Sequence, residues 1–166
     1  MAGPSYRIEL ADLAAHRYRV TLTLDSPAAV QDFSLPVWIP GSYLVREFAK
    51  QLSRLGARQG GAERAIEQLD KASWRVRCEG AAALTLSYEV YAFDASVRTA
   101  WLDAQRAFFN PSSLCLRAHG REDAAHRIEL TGLPEGWRVA TEMPVAPGGF
   151  VAADYDELLD HPFEIG

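Results

Sequence analysis

The sequence is poor in the residues that bind metals or form disulfides. Its 166 residues include two cysteines and four histidines. Cys78 and Cys115 are too few for a disulfide framework, and each lies in an apolar or alternating run that is typical of a buried thiol. No histidine belongs to an HExxH motif, which excludes the helical zinc pair with its general-base glutamate. His119 and His126 flank a polar loop, where two surface histidines are a better interpretation than a zinc pair.

Long apolar runs and an excess of basic residues are also missing. The formal net charge is −5, whereas nucleic-acid binding needs a basic surface. No apolar stretch approaches the roughly 18 residues that span a bilayer. The first residues have neither the basic nor the apolar region of a signal peptide. We therefore expect no nucleic-acid partner, no membrane partner and a cytoplasmic location.

A self-contained hydrolase centre finds no support in the motifs. The GxSxG nucleophile elbow is absent, and neither cysteine has the spacing to a histidine that indicates a catalytic pair. Ser42 follows Gly41, but the Pro40-Gly41 pair is typical of a type II turn, in which proline presets φ and glycine takes a positive φ. A small enzyme that uses two carboxylates as acid and base stays open as the least favoured interpretation.

The sequence does have a hydrophobic period of two. Over residues 18–24, tyrosine, valine and leucine alternate with arginine and threonine, which is the pattern of a half-buried strand. Residues 74–78 and 84–91 alternate in the same way. Weaker strands are predicted at residues 6–10, 30–38, 51–57, 113–118, 126–130 and 137–140. Short strands separated by glycine and proline turns predict an all-β fold, an antiparallel β-sandwich with one or two short helices.

Helix is predicted in only two places. Residues 42–50 have room for two turns, and residues 154–159 for one, with Asp154 as the N-cap and Glu157 at the capping-box spacing. Residues 62–69 have a helical composition but are short for a helix, so their structure is left open. The predicted organisation is a β-sandwich domain over residues 1–153, followed by an acidic connector over residues 154–166.

The first segment that stands out contains Trp38, Tyr43 and Arg46 around the Pro-Gly turn. One interpretation is structural: the two aromatic residues pack beside the turn, and Arg46 pairs with Glu47 or caps a short helix. The other is that the turn docks on another surface, since aromatic residues and arginine are enriched in interface hot spots. The structural interpretation is favoured.

The second segment places charges among aromatic residues. Arg98, Asp103 and Arg106 are interleaved with Trp101 and the Phe108-Phe109 pair. Because buried ionic groups need partners, this set is either a structural clamp or part of a pocket wall. An aspartate between two arginines is expected to stay ionised. The two phenylalanines are expected at the lip of a turn.

The third segment, residues 155–166, is acidic. Asp156, Asp160 and Glu164 belong to a group of five carboxylates within eleven residues. Two carboxylates can act as acid and base, but none has an apolar environment in the sequence and Pro162 interrupts regular structure. A solvated connector is therefore favoured.

These three segments, in their order and spacing, resemble the N-terminal domain of the glycyl aminopeptidase family, zinc metallopeptidases that also carry a PDZ domain. The resemblance covers nearly the whole chain and includes residues 70–74 and 136–141. Pro111 departs from it, since a glycine is expected there. The resemblance implies a fold similar to the N-terminal β-domain of aminopeptidase N-type enzymes, which packs against a thermolysin-like catalytic domain.

The same resemblance implies a function. The chain would be a non-catalytic domain that ends where the zinc-binding catalytic domain begins, so no cofactor is expected in this chain and zinc is expected in the missing domain. The partner would be that catalytic domain of the same polypeptide, with a peptide substrate contacted indirectly. The expected cleft or interface residues are Trp38, Tyr43, Arg46, Arg98, Asp103, Arg106, Phe108, Phe109, Asp156, Asp160 and Glu164.

A second hypothesis belongs to a different class. A free-standing β-sandwich that binds a peptide or a glycan would also place aromatic residues at turns. The two hypotheses differ in what they predict for the surface. A domain interface requires an unusually large exposed apolar patch, whereas scattered apolar residues at the turns would count against it.

Overall fold

The computed structural model describes residues 2–37, 47–95 and 99–166. These ranges form short strands with three helical segments. The strands are β1 Ser5–Asp12, β2 Arg17–Leu24, β3 Val30–Ser34, β4 Leu52–Gln59, β5 Ala62–Arg64, β6 Ile66–Asp70, β7 Ser73–Arg77, β8 Leu84–Tyr91, β9 Ala100–Leu102, β10 Ala107–Phe109, β11 Arg117–Ala118, β12 His126–Thr131, β13 Val139–Ala140, β14 Val145–Ala146, β15 Gly149–Ala152 and β16 Phe163–Ile165. The helical segments are a 3-10 turn at Phe48–Gln51, α1 Pro111–Leu114 and α2 Tyr155–Asp160.

The large sheet has eight strands in the order β14-β15-β12-β1-β2-β8-β4-β5. Its neighbouring strands are antiparallel except β1 and β12, which run parallel. At the centre, Tyr18 of β2 lies opposite Val90 of β8, and Leu24 lies opposite Leu84. Because side chains alternate along a strand, this register gathers the apolar residues of both strands on one face. The strands predicted at residues 18–24 and 84–91 are confirmed.

Two four-stranded sheets share one core with the large sheet. Their orders are β13-β16-β10-β9, called the small sheet below, and β11-β3-β7-β6. Side chains from all three sheets belong to a single buried cluster, which includes Leu22, Leu86, Phe33 and Phe109. Full burial of a side chain of this size stabilises a fold by about 1.5–3 kcal/mol. The predicted all-β sandwich is confirmed.

Three buried tyrosines form hydrogen bonds to the end of α1 and the two residues after it. The hydroxyls of Tyr6 and Tyr155 donate to the carbonyls of Leu116 (2.6 Å) and Cys115 (2.9 Å). The hydroxyl of Tyr88 donates to the carbonyl of Leu114. Burial raises the pKa of each phenol well above its ordinary value, so each remains a donor. Three consecutive carbonyls therefore find partners inside the core, where an unpaired carbonyl would be costly.

Residues 154–166 form secondary structure that packs on the rest of the chain. The Asp154 side chain accepts the backbone N–H of Glu157 at 2.8 Å, as the capping pattern predicted. Glu157 reaches back to the N–H of Ala153, one residue before the expected position. Beyond Pro162, Phe163 and Ile165 lie in β16 and are buried. A connecting role toward another domain stays a prediction for this segment.

Several local predictions differ from the structure. The strand expected at residues 113–118 is replaced by α1 and the short β11, because Pro111 occupies the first helical position, where its fixed φ and missing N–H fit. Residues 62–69, left open, form β5 and part of β6. Most of the helix expected at residues 42–50 lies outside the described residues.

Candidate interaction surface

Four of the residues expected at an interface lie outside the described residues. They are Trp38, Tyr43, Arg46 and Arg98. The other seven lie in three places: the small sheet, α2, and the turn between β9 and β10. The predictions made for the first four remain predictions.

The small sheet has an apolar inner face and an aromatic outer face. Its register places Trp101 of β9 opposite Phe108 of β10, which in turn lies opposite Glu164 of β16. All three are at least partly exposed. Phe109 and Phe163 point the other way, are fully buried, and stack with ring centroids 4.8 Å apart. Phe109 is therefore a core residue and not the lip of a turn, because strand alternation separates it from Phe108.

A tyrosine of the large sheet fixes this small sheet in place. The hydroxyl of Tyr18 donates to the carbonyls of Trp101 (2.9 Å) and Phe108 (3.3 Å). Its ring meets Phe109 edge to face at 5.6 Å. Tyr18 is fully buried, so the aromatic outer face is held from behind by a rigid group.

Three rings stack on the outer face of the small sheet and beside it. Phe93 lies 3.9 Å from His16 and 4.3 Å from Trp101 between ring centroids, with interplanar angles of 31° and 22°. Two rings on one side of Phe93 at these distances would overlap, so His16 and Trp101 cover its opposite faces. The Nδ1 of His16 donates to the carbonyl of Leu102 at 2.5 Å. Phe93 is nevertheless 47% exposed.

The aromatic stack is defined here as His16, Phe93 and Trp101, and Arg106 extends it. The guanidinium carbon of Arg106 lies 5.9 Å from the Trp101 ring centroid, within the range of a cation–π contact. Its Nη1 also lies 3.2 Å from a carboxylate oxygen of Glu164. Both side chains are about half exposed, so the ion pair contributes at most about 1 kcal/mol.

Asp103 does not form the clamp with Arg106 that the sequence suggested. Its carboxylate accepts the backbone N–H groups of Gln105 (2.8 Å) and Arg106 (2.9 Å) in the turn between β9 and β10. These two bonds, with a smaller contribution from the charge of Arg106, hold the pKa of Asp103 below its usual range. The charged partner of the Arg106 guanidinium is Glu164 instead. Asp103 shapes the turn that presents Arg106.

A cleft of about 260 Å³ opens beside the stack. Phe48, Val90, Phe93 and Ala100 provide apolar lining. Ser113 also lines it, is 4% exposed, and its hydroxyl has no hydrogen-bond partner among the residues that the structure describes. No sequence motif indicated this cleft, because its lining comes from elements that are distant along the chain.

The acidic residues at the end of the chain do not converge on one point. Asp156, Asp160 and Glu164 are exposed. Glu164 faces Arg106 on the small sheet, while Asp156 and Asp160 lie on α2. The three carboxylates are therefore divided between two elements of the fold.

The histidines and cysteines have structural environments. Within the described ranges, no group of three or more histidine, cysteine or acidic residues is arranged to hold a metal ion. The Nε2 of His119 is hydrogen-bonded to the hydroxyl of Ser34 at 2.8 Å. His126 is fully buried, which corrects its expected surface position, and burial lowers its pKa. Burial raises the thiol pKa of both Cys78 and Cys115, which disfavours a nucleophilic thiolate.

Among the residues described, no helix has the length and apolar composition needed to cross a bilayer. The three helical segments of the described residues have four, four and six residues.

The fold is shared with zinc metallopeptidases. The M1 zinc metallopeptidase from Deinococcus radiodurans, in a variant bound to a Tyr-Ser-Ala substrate, has a TM-score of 0.59 and 10% identity over 99% of this chain and 41% of its own. Yeast LTA4 hydrolase in complex with bestatin has a TM-score of 0.55 and 10% identity over 99% of this chain and 28% of its own. At these identities the likeness concerns the fold alone.

A closer likeness identifies the family. The profile of the peptidase M61 N-terminal domain matches residues 5–166. An aminopeptidase N family protein from Idiomarina loihiensis is 40% identical, with a TM-score of 0.92 over 98% of this chain. Among curated proteins, no sequence matches this chain. The chain belongs to the peptidase M61 N-terminal domain family, which confirms the resemblance to glycyl aminopeptidases, and it spans 29% of the Idiomarina protein's length.

Proposed function

We propose that this chain is the non-catalytic N-terminal domain of a glycyl aminopeptidase-like zinc metallopeptidase. The observation that carries the proposal is the match of a family of N-terminal domains to residues 5–166. The 29% share of the Idiomarina protein's length leaves room in such a protein for a separate catalytic domain. The domain would pack on that catalytic domain, wall one side of the substrate cleft and contact the peptide indirectly.

The zinc of the proposed enzyme does not fit the residues described here. Zinc sites use three or four histidine, cysteine or carboxylate ligands, and no such group occurs within the described ranges. His126 is buried and His119 is bonded to Ser34. We therefore assign zinc to the catalytic domain and derive no chemical step for it. The PDZ domain and the cytoplasmic location also remain predictions.

The role left to this chain is positional. A rigid β-sandwich beside a cleft restricts which peptides enter, because its side chains occupy space that longer or folded substrates need. The exposed carboxylates of Asp156, Asp160 and Glu164 would add a weak attraction for the free α-amino group of a peptide. That attraction would act over roughly 8–10 Å at physiological salt.

The test compares two lengths of the protein. The gene is read beyond the Gly166 codon, and the longer product and the 166-residue chain are both assayed for release of glycine from a glycyl anilide. We expect zinc-dependent activity in the longer product only. Activity of the 166-residue chain, or a reading frame without a zinc-binding domain, would refute the proposal.

The second candidate is a free-standing binding module. The cleft contains the Ser113 hydroxyl, which has no hydrogen-bond partner within the described ranges, and this favours a peptide side chain as its ligand. A glycan is less favoured, because sugars pack on open aromatic faces, and both faces of Phe93 are covered. A reading frame that stops close to Gly166, together with peptide binding by the 166-residue chain, would support this candidate.

A further inference from the structure

The exposed apolar side chains of this chain are unevenly placed. Within the described ranges, the large apolar side chains classed as exposed are Val30, Val37, Leu69, Tyr91, Phe93 and Val145. Tyr91 and Phe93 both contact the ring of His16, at 6.1 Å and 3.9 Å between centroids. They adjoin the partly exposed Trp101 and Phe108. One contiguous aromatic surface is therefore present, and it consists of the aromatic stack with Tyr91 and Phe108.

We propose that this aromatic surface is the face on which the catalytic domain of the same polypeptide docks. The inference rests on the proposed function, and it names the contact surface that the proposed function leaves open. Aromatic residues and arginine dominate the binding energy of protein interfaces. Here Trp101 and Arg106 stand next to each other on a sheet that Tyr18 anchors from behind.

The stacking defines what the surface can accept. Both faces of Phe93 are occupied, so a partner meets ring edges and the outer side of the stack, which are suited to aliphatic and aromatic side chains. Glu47, Lys50, Arg106 and Glu164 lie around it, in two ion pairs of 2.9 Å and 3.2 Å. An apolar centre with a polar rim is the arrangement typical of protein interfaces.

Gly166 lies beside this surface. Its backbone N–H and carbonyl bond to Arg138 at 3.0 Å and 2.9 Å, at the end of the small sheet. Gly166 also lies against Arg106 in the turn beside Trp101. In a longer chain, the next domain would therefore begin beside the aromatic surface. Proximity of this kind raises the effective concentration of the two domains for each other.

The experiment measures whether a longer chain covers the surface. Hydroxyl-radical footprinting compares Phe93 and Trp101 in the 166-residue chain and in the full-length protein, with Val145, which is 82% exposed at the far edge of the large sheet, as the internal reference. We expect Phe93 and Trp101 to lose most of their labelling in the full-length protein, with no change at Val145. Protection that depends on protein concentration would instead indicate a second copy and overturn the inference.

A matched pair of variants gives a second measurement. Phe93→Ala and Val145→Ala are made in both lengths, and the unfolding midpoint of each is recorded. We expect Phe93→Ala to lower the midpoint of the full-length protein further than that of the 166-residue chain, and Val145→Ala to act equally in both. Equal shifts for Phe93→Ala would overturn the inference.

The two failures can be told apart. If the full-length protein cleaves the glycyl anilide but Phe93 and Trp101 stay labelled as in the 166-residue chain, the docking surface is wrong and the proposed function stands. If the full-length protein is inactive with zinc, the proposed function fails, and the footprint still decides whether this surface is covered.

Discussion

The outer faces of the large and small sheets have opposite chemistry. On the large sheet, Arg7 pairs with Glu129 at 3.2 Å, and Arg19 pairs with Glu9 at 3.2 Å. Threonines lie between these charges, at Thr21 and along the neighbouring strands. Around these residues the face keeps its charged groups hydrated, whereas Tyr91, at the end of β8, belongs to the aromatic surface.

The small sheet presents Trp101 and Phe108 at the equivalent outward positions. Both sheets bury an apolar inner face in the same core, so the need for a core does not explain the difference. The sequence of the small sheet places large apolar groups where the large sheet places ions. The difference supports a hydrated outer face on the large sheet and contact with protein on the outer face of the small sheet.

The inner and outer faces of the small sheet should differ most in how far the loss of a side chain lowers the free energy of unfolding. Phe163→Ala removes a fully buried ring that stacks on Phe109 at 4.8 Å and meets Phe150 at 5.2 Å. We expect the free energy of unfolding to fall by about 3–5 kcal/mol, because a cavity remains. Urea unfolding of the 166-residue chain measures this change.

The neighbouring residue provides the control. Glu164→Ala changes the next side chain on the same strand, which points outward and pairs with Arg106. We expect it to change the free energy of unfolding by less than about 1 kcal/mol. Similar losses for Phe163→Ala and Glu164→Ala would contradict the assignment of the two faces.

The next effect concerns the inner side of the large sheet. Tyr88→Phe removes a hydroxyl that donates to the carbonyl of Leu114 and accepts the N–H of Leu116 at 3.2 Å. Two buried backbone groups lose their partner, so we expect a loss of about 1–3 kcal/mol in the same unfolding measurement. Tyr91 is the last residue of β8 and is 40% exposed. Tyr91→Phe should therefore have almost no effect on the free energy of unfolding.

Much of this fold follows from the sequence because alternation is a local signal. The strands β2, β7 and β8 were predicted close to their bounds, since each is long enough to show the period and has one buried face. The strands β9, β10 and β16 were missed because each has three residues. A period of two cannot be recognised over three residues, and these strands are stabilised by their neighbours in space.

The candidate surface was predicted only in part for a similar reason. Arg106 and Phe108 were singled out by composition, since charges and aromatic residues are adjacent in the sequence there. His16 and Phe93 were missed, because their stacking depends on the bridge between Phe93 and Trp101 and on hydrogen bonds that join Ala92 to His16 and Leu102, residues that are distant along the chain. Ser113 was assigned to a strand, so its place in the cleft was not foreseen.

A pH dependence should distinguish the buried interior from the hydrated faces. Burial lowers the pKa of His126 below its ordinary value of 6.5. Below pH 6.5 the unfolded state takes up a proton that the folded state resists, so the free energy of unfolding decreases. The contribution is complete above pH 6.5 and is lost as the pH falls through the lower pKa of the folded state. Unfolding midpoints at pH 7.5 and pH 5 measure it.

The environment of His126 identifies the control for this titration. The rings of Tyr6 and Tyr155 pack on it, the carbonyl of Ala124 accepts its Nδ1 proton, and the carboxylates of Asp154 and Glu122 face it. Their charges oppose the effect of burial without reversing it. We expect His126→Leu to lose this part of the pH dependence and His161→Asn to keep it. A pH dependence unchanged in His126→Leu would show that another group is responsible.

The outer faces of the two sheets can be compared through one arginine on each. Arg7 and Arg106 each pair with a glutamate at 3.2 Å, and the side chains are about half exposed in both pairs. Arg7→Ala and Arg106→Ala should therefore each cost the 166-residue chain about 1 kcal/mol or less, with a slightly larger loss for Arg106→Ala because its cation–π contact with Trp101 is removed.

In the full-length protein we expect the loss for Arg106→Ala to increase and that for Arg7→Ala to stay the same, because only the aromatic face loses its water on docking. Unfolding midpoints of both variants in both lengths test this, and an increase for Arg7→Ala would mean that the hydrated face is the one that docks.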